Sequence, residues 1–281
     1  MQVFRSLEEF KQARKDLGRE SSIGLVPTMG ALHAGHASLA QKAVEENSFS
    51  IATIFVNPTQ FGPNEDLDRY PRTLEADLNL LKDIGISAVL APNTEDVYGK
   101  GPNLISFQIE EMDRILCGAK REGHFNGVLQ IVSILFNLAQ PDKAYFGKKD
   151  FQQLMIIKRM IKELHFPLEA IGCPIIREDD GLAMSSRNRY LNPQERKQAL
   201  FLSHCLKEIK AKAAQFSHTE EVHSFVQKKL KDYPLVQLDY FEILEAQDLS
   251  QITNINESKQ PHLFVAAYLG KTRLIDNMSL I

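Results

Sequence analysis

The sequence predicts a doubly wound α/β domain built on a parallel sheet over residues 1–176, followed by a smaller C-terminal α+β domain over 177–281. Three observations carry this. Apolar, β-rich runs alternate with amphipathic helical stretches through the first two-thirds of the chain, the pattern of parallel strands joined by right-handed helical crossovers. Near Ile176 the texture changes to a polar, turn-prone stretch, Arg177-Glu178-Asp179-Asp180-Gly181. Beyond it the order becomes helices, then strands. A chain of 281 residues suffices for one large domain or two modest ones.

Taken in order, residues 1–10 are amphipathic, with Arg5, Glu8 and Glu9, and contain no apolar leader run, so no signal peptide is expected. Residues 22–27 read as a short buried strand entering a turn, and 35–47 as a helix with Leu39, Ala43 and Val44 on one face. Residues 51–56 form a strand that stops at Asn57-Pro58. Residues 74–84 are helical, with Leu74, Leu78 and Leu81 at helical spacing; 88–91 are a strand ended by Pro92; 103–109 are expected as another. A strongly apolar, buried helix spans 125–138, a strand 143–146, a helix 150–164 with Leu154, Ile157 and Ile161 on one face, and a strand 168–174. This alternation is Rossmann-like. In the second domain Asn192 and Pro193 supply an N-cap and an N1 proline for a helix over 193–215. A second helix is expected over 219–232, and β-like runs over 235–244 and 262–274. No internal repeat or low-complexity tract occurs.

Composition narrows the class. The hydrophobic fraction of 43% and charged fraction of 25% are those of ordinary globular proteins, and a net charge of -3 advertises neither nucleic acid nor a membrane surface. No apolar run is long enough to cross a bilayer. Cys117, Cys173 and Cys205 lie far apart with no CxxC pair, which argues against a zinc site or disulfide framework and for a reduced, cytoplasmic compartment.

Four stretches carry candidate chemistry. Pro27-Thr28-Met29-Gly30-Ala31-Leu32-His33-Ala34-Gly35-His36 lies between the first strand and the first crossover helix, where amide donors and the positive end of a helix dipole suit phosphate. Gly35 is expected to let the backbone approach the ligand. A lone His-x-Gly-His also suits a tight turn with locally satisfied histidines; the flanking strand and helix favour a nucleotide. Gly181-Leu182-Ala183-Met184-Ser185-Ser186-Arg187-Asn188-Arg189-Tyr190 offers hydroxyls and a fixed cation to polyphosphate, and by itself equally suits a solvated linker. Its composition predicts a mobile loop. Phe146-Gly147-Lys148-Lys149-Asp150-Phe151-Gln152-Gln153 sits at another strand end, with Asp for ribose hydroxyls and Lys for phosphate, or with Asp150 as a plain helix cap. Asn57-Pro58-Thr59-Gln60-Phe61-Gly62 brings neutral amides that suit a small hydroxylated acid, or is a proline turn. There is no Walker A loop and no Ser-His-Asp arrangement.

These blocks, with His124-Phe125-Asn126-Gly127-Val128, stand in the order and spacing of the pantothenate synthetase family, which the chain resembles from about Val26 to Leu191. The resemblance implies an ATP-dependent ligase that joins pantoate to β-alanine through a pantoyl-adenylate. It places the nucleotide against Met29, Gly30, Ala31, Leu32, His33, Ala34, Gly35 and His36, with His33 and His36 on the phosphates. It assigns Lys149 to the charge on the α-phosphate, Gly147 and Asp150 to the ribose, with Lys148 beside them, and Ile176 to the adenine side. Met184, Ser185, Ser186 and Arg187 close over the nucleotide. Gln60 and Gln153 bind pantoate, with Asn57 beside them, and Gln60 also meets β-alanine. Arg121, His124 and Tyr70 are further candidates. Mg²⁺ comes with ATP, and Asp77 is the candidate to help order it. The family further implies a homodimer and a shielding role for residues 62–72.

Two positions depart from the family pattern. Lys148 stands where an acidic residue is usual, and Glu122 where proline is usual. Three rival readings share part of the signal. An adenylyltransferase that keeps AMP in its product leaves the Asn57–Gln60 amides without a reason. An aminoacyl-tRNA synthetase relative asks for a longer and more basic chain. A non-catalytic nucleotide sensor does not explain His33, His36, Lys149 and Arg187 together.

Overall fold

The computed structural model describes residues 1–18, 21–63, 65–100, 105–109 and 111–281. Its contacts divide the chain into two compact units, residues 1–148 with 153–174, and residues 149–152 with 175–281.

The first unit is a six-stranded, all-parallel sheet in the order β1-β4-β3-β2-β5-β6, from β1 (Gln2–Phe4), β2 (Ile23–Thr28), β3 (Phe49–Ile54), β4 (Ala88–Leu90), β5 (Lys143–Gly147) and β6 (Glu169–Cys173). The helices are α1 (Leu7–Asp16), α2 (Ala34–Glu46), α3 (Leu74–Ile84), α4 (Thr94–Tyr98), α5 (Leu116–Lys120), α6 (His124–Ala139) and α7 (Phe151–Glu163), the last reached through a 3-10 turn over Lys148–Asp150. Every residue of β4 is buried, as expected for a strand covered on both faces. α3 ends where Gly85 turns left-handed (φ 96°) and its amide reaches the Leu81 and Lys82 carbonyls. Eleven of the sixteen residues of α6 are buried, which explains its apolar character all round. The chain leaves β2 towards β3 on one side, and β5 lies on the other. This is the switch point of a doubly wound sheet, with a crevice beyond the carboxyl ends of β2 and β5.

Two features are not legible in the sequence. β1 pairs with β4 at the sheet edge, where the sequence shows only an amphipathic start. The strand expected at 103–109 lies partly outside the described residues, and 105–109 form none. Instead the Phe107 amide donates to Asn126 Oδ1 at 2.7 Å and the Ile105 carbonyl accepts from Gln130 Nε2, so side chains of α6 satisfy this backbone in place of a neighbouring strand.

The second unit packs α8 (Pro193–Ala211) and α9 (Thr219–Leu230) on an antiparallel sheet in the order β7 (Val236–Glu245), β8 (Pro261–Leu269), β9 (Thr272–Ser279). Asn192 caps the helix with Pro193 in the first turn, as the sequence predicts, and Glu195 completes a capping box beyond that expectation. Phe201, Leu206, Val222 and Leu263 centre its core at 0% exposure, and deleting a ring such as Phe201 costs about 3–5 kcal/mol. The single β-run read at 262–274 is two strands. Gly270-Lys271 turns the chain between Leu269 and Thr272, with Gly270 at φ 57°.

Candidate active site

The turn leaving β2 is fixed by side chains. Thr28 Oγ1 donates to the Thr53 carbonyl at 2.6 Å and accepts from the Gly30 amide at 3.2 Å. Gly30 and Ala31 then take left-handed backbone, φ 80° and 51°. Asp77 on α3 holds this strained turn: its two oxygens accept from the Ala31 amide at 2.9 Å and the Leu32 amide at 2.8 Å, and Thr73 Oγ1 adds a third bond at 3.2 Å. Asp77 is 3% exposed. The sequence offers it to Mg²⁺; the structure gives its carboxylate to the turn, because a buried carboxylate facing two amides is already satisfied.

His33 is the N-cap of α2 and His36 its third residue. Nδ1 of His33 accepts from the Gly35 amide at 3.1 Å, and Nδ1 of His36 from the His33 amide at 3.4 Å, a reciprocal cap. With Nδ1 accepting, a neutral ring at either position carries its hydrogen on Nε2. The rings lie 4.1 Å apart by centroid. The result is a pair of neighbouring imidazole donors at a helix N-terminus, the arrangement an oxyanion needs. Gly35 has a further, local reason. A Cβ there would lie 2.9 Å from the His33 ring, so the glycine makes room for the capping histidine.

Asn57 is 1% exposed and wholly engaged. Its Oδ1 accepts from Tyr98 OH at 2.6 Å and Thr59 Oγ1 at 3.0 Å, while Nδ2 donates to the Gly127 carbonyl at 3.0 Å and Gln60 Oε1 at 3.1 Å. Asn57 is thus the holder of Gln60. With Oε1 occupied, Gln60 turns Nε2 to Met29 Sδ at 3.0 Å, beside the His-x-Gly-His loop. Gly127 permits this packing, since a Cβ would come within 2.2 Å of the Thr59 carbonyl oxygen.

Arg121 and His124 brace the same turn. Arg121 binds Glu65 through Nε and Nη2 at 2.6 and 2.7 Å and donates from Nη1 to His124 Nε2 at 2.8 Å. That leaves His124 Nδ1 to donate to the Gln60 carbonyl at 2.8 Å. Burial pushes the Glu65 carboxyl up, but the bonds and charge of Arg121 outweigh it and hold it below its ordinary range. Tyr70 stacks edge-on to Phe61 at 5.9 Å. Gly147 and Lys148 stand at the end of β5, the Lys148 stem beside Gly172 of β6. Gln153 lies half-buried in α7.

In the second unit, Lys149 Nζ lies 3.6 Å from Asp150 Oδ1, and the Lys149 carbonyl accepts from Asn277 Nδ2 at 2.8 Å. The Met-Ser-Ser-Arg stretch sits in a hydrogen-bonded hairpin. The Met184 amide donates to the Ile176 carbonyl at 3.0 Å, the Glu178 amide to Leu182 at 2.9 Å, and Arg177 pairs with Ala183 across the strand-like arms. Arg196 ties Glu178 and Asp180 together, and Leu182, Ala183, Ser186 and Asn188 are buried. Ser185 caps a 3-10 turn, its Oγ accepting from the Arg187 amide at 3.3 Å. Glycine and serine here suggest mobility in the sequence; in the structure these contacts arrange the segment as a hairpin.

Tyr98, Glu65 and the buried Asp276-Asn277 pair are not found from sequence. Tyr98 reaches Asn57 over 41 positions, which no local pattern signals. Asp276-Asn277 has a signal: two polar residues closing the apolar run Leu274-Ile275. The three cysteines are buried, and burial pushes the Cys205 thiol up to about 12, so it stays protonated at neutral pH. Among the described residues no group of three His, Cys, Asp or Glu side chains gathers as a metal site, and no helix is long and apolar enough to cross a membrane.

A family model described as pantoate-beta-alanine ligase matches residues 2–279. Pantothenate synthetase of Bacteroides thetaiotaomicron is 47% identical over 257 residues, covering 91% of this chain and 90% of that one. The crystal structure of pantothenate synthetase from Thermus thermophilus superposes with a TM-score of 0.93 at 40% identity, over 100% of this chain and 99% of the other. A pantoate-beta-alanine ligase from Francisella tularensis, complexed with beta-gamma ATP and beta-alanine, gives 0.84 at 35% identity over 100% and 98%.

Proposed function

The chain belongs to the pantoate–β-alanine ligase family, and from that premise we propose how its own residues divide the work. The reaction is the ATP-dependent condensation of pantoate with β-alanine to pantothenate. In our reading a pantoate carboxylate oxygen attacks the α-phosphorus of ATP and pyrophosphate leaves. The amine of β-alanine then attacks the acyl carbon and AMP leaves. The observation that supports direct attack of pantoate on the nucleotide is the 3.0 Å contact between Gln60 Nε2 and Met29 Sδ, which sets the amide assigned to pantoate against the loop assigned to the nucleotide.

His33 and His36 offer Nε2–H donors to phosphate oxygens, and the amides opening α2 add to them. Lys149 neutralises charge on the reacting phosphate, with Ser185 and Arg187 as further donors; Gly147 and Asp150 take the ribose, and Ile176 and Met184 the base side. Gln60, held by Asn57, and Gln153 take pantoate, and Gln60 also meets β-alanine. Catalysis is positioning and charge stabilisation, with no covalent enzyme intermediate. Mg²⁺ enters on the triphosphate: it prefers phosphate and water to an all-protein cage, and Asp77 is spent on the turn. A cytoplasmic homodimer completes the proposal, the oligomer being checked by sedimentation.

Pyrophosphate exchange tests the order of steps. Exchange into ATP is expected with pantoate and Mg²⁺ alone. Exchange that appears only when β-alanine is added would overturn a free adenylate half-reaction.

A further inference from the structure

Strand β9 closes an apolar run with two buried polar residues, Asp276 and Asn277, 2% and 4% exposed. Buried polar groups need partners, and here the partners are informative. Asp276 grips Arg177 with both oxygens, at 2.7 and 3.0 Å, and accepts from the Asn277 amide at 2.8 Å. Arg177 also donates to the Gly181 carbonyl at 3.1 Å, at the base of the hairpin that carries Met184 to Arg187. Asn277 Nδ2 donates to the main-chain carbonyl of Lys149 at 2.8 Å. Its amide is thereby oriented, so Oδ1 faces His262 Nε2 at 2.9 Å and accepts its hydrogen. His262 in turn stacks on Phe151, centroids 4.2 Å apart and 27° between planes. The segment 149–151 is held at both ends by one polar cluster on β8 and β9.

We propose that Asn277 is a positioning residue for Lys149, oriented by Asp276 and His262, and that through Arg177 the same cluster sets the Ser185–Arg187 hairpin. The inference rests on Lys149 meeting the reacting phosphate. A lysine stem of four carbons magnifies any rotation of its main chain, and the Lys149 carbonyl is the point at which that main chain is fixed. Asn277 touches no substrate in this account; it acts on kcat through the lysine.

Steady-state pyrophosphate exchange on Asn277→Ala, His262→Phe and Lys149→Ala, alone and combined, decides it. Asn277→Ala is expected to lower kcat by about 10–100-fold, the effect of an ångström-scale misplacement, with KM for ATP and pantoate changed less than about twofold. His262→Phe keeps the stack on Phe151 and removes one restraint on the amide, so a loss of about three- to tenfold is expected. In the Lys149→Ala background both losses should vanish to within about twofold, the mark of coupled sites. Wild-type kcat in a folded variant, or undiminished losses without Lys149, overturns the proposal. If Asn277→Ala does not fold, His262→Phe decides alone. Wild-type exchange by Lys149→Ala would strike the underlying reading and the proposal with it.

Discussion

At Lys148 the side-chain stem passes Gly172, where an added Cβ would lie 3.2 Å from its Cε, whereas at Lys149 the carbonyl is tied to Asn277. The two lysines have different anchors, and the reacting phosphate is assigned to Lys149. Lys149→Ala is therefore expected to lose adenylate formation by about 10²–10³, the worth of one preorganised donor, with ATP affinity changed less. Lys148→Ala should be mild and Lys148→Glu active; a dead Lys148→Ala would refute the assignment. Gln60 carries a second expectation. Gln60→Ala should raise KM for pantoate by the about 1–3 kcal/mol of an orphaned polar contact, with ATP affected less. Asn57→Ala should do the same through loss of its grip on Gln60 and also lower Tm, since Tyr98 OH and the Gly127 carbonyl each lose a partner in a buried site. Equal weakening of ATP and pantoate by Gln60→Ala would make that residue structural only. Candidate residues are legible here because motif residues keep their types; their tasks are not. Asn57 reads as a ligand in sequence, and the structure shows its amide bonded to Gln60, Thr59, Tyr98 and the Gly127 carbonyl, the last 70 positions away.

Between elements, α3 acts on the turn after β2 through a single side chain. Asp77→Ala would leave the Ala31 and Leu32 amides without their acceptor in a buried turn, costing about 1–3 kcal/mol for each group. The expected result is a lower Tm together with slower adenylation that saturating Mg²⁺ does not restore. Rescue by Mg²⁺ would return Asp77 to the metal. The same scale explains the hairpin at 176–188. Gly, Ser and charge suggest a loop when counted locally, yet Arg196 from α8 and Arg177 from its own arm turn those polar groups into anchors.

For the molecule as a whole, one electrostatic group gives a pH signature. Glu46, at the end of α2, accepts from Lys42 and Tyr145, and these bonds hold its carboxyl at about 2 against an ordinary 4.5. A carboxyl lowered by folding contributes stability that is full above its unfolded value and lost as pH falls through the folded one. The stability difference between the native chain and Glu46→Gln should be constant above pH 4.5 and shrink as pH falls towards 2. Urea titrations at stepped pH measure it; a difference independent of pH through this window would show that the pairing contributes nothing.

The sequence alone determined the α/β class, the place of most strands and helices of the parallel sheet, and the family. Those features are written in short-range periodicity and in contiguous blocks, which a linear reading samples directly. The edge strand β1, the division of 262–274 by Gly270-Lys271, and the pairing of residues 105–109 with α6 were decided by tertiary structure. So were the true partners of Asp77, Asn57 and Lys149. The reason is common to all of these. Each depends on which distant group satisfies a buried hydrogen-bonding atom, and that is fixed only when packing brings the two together.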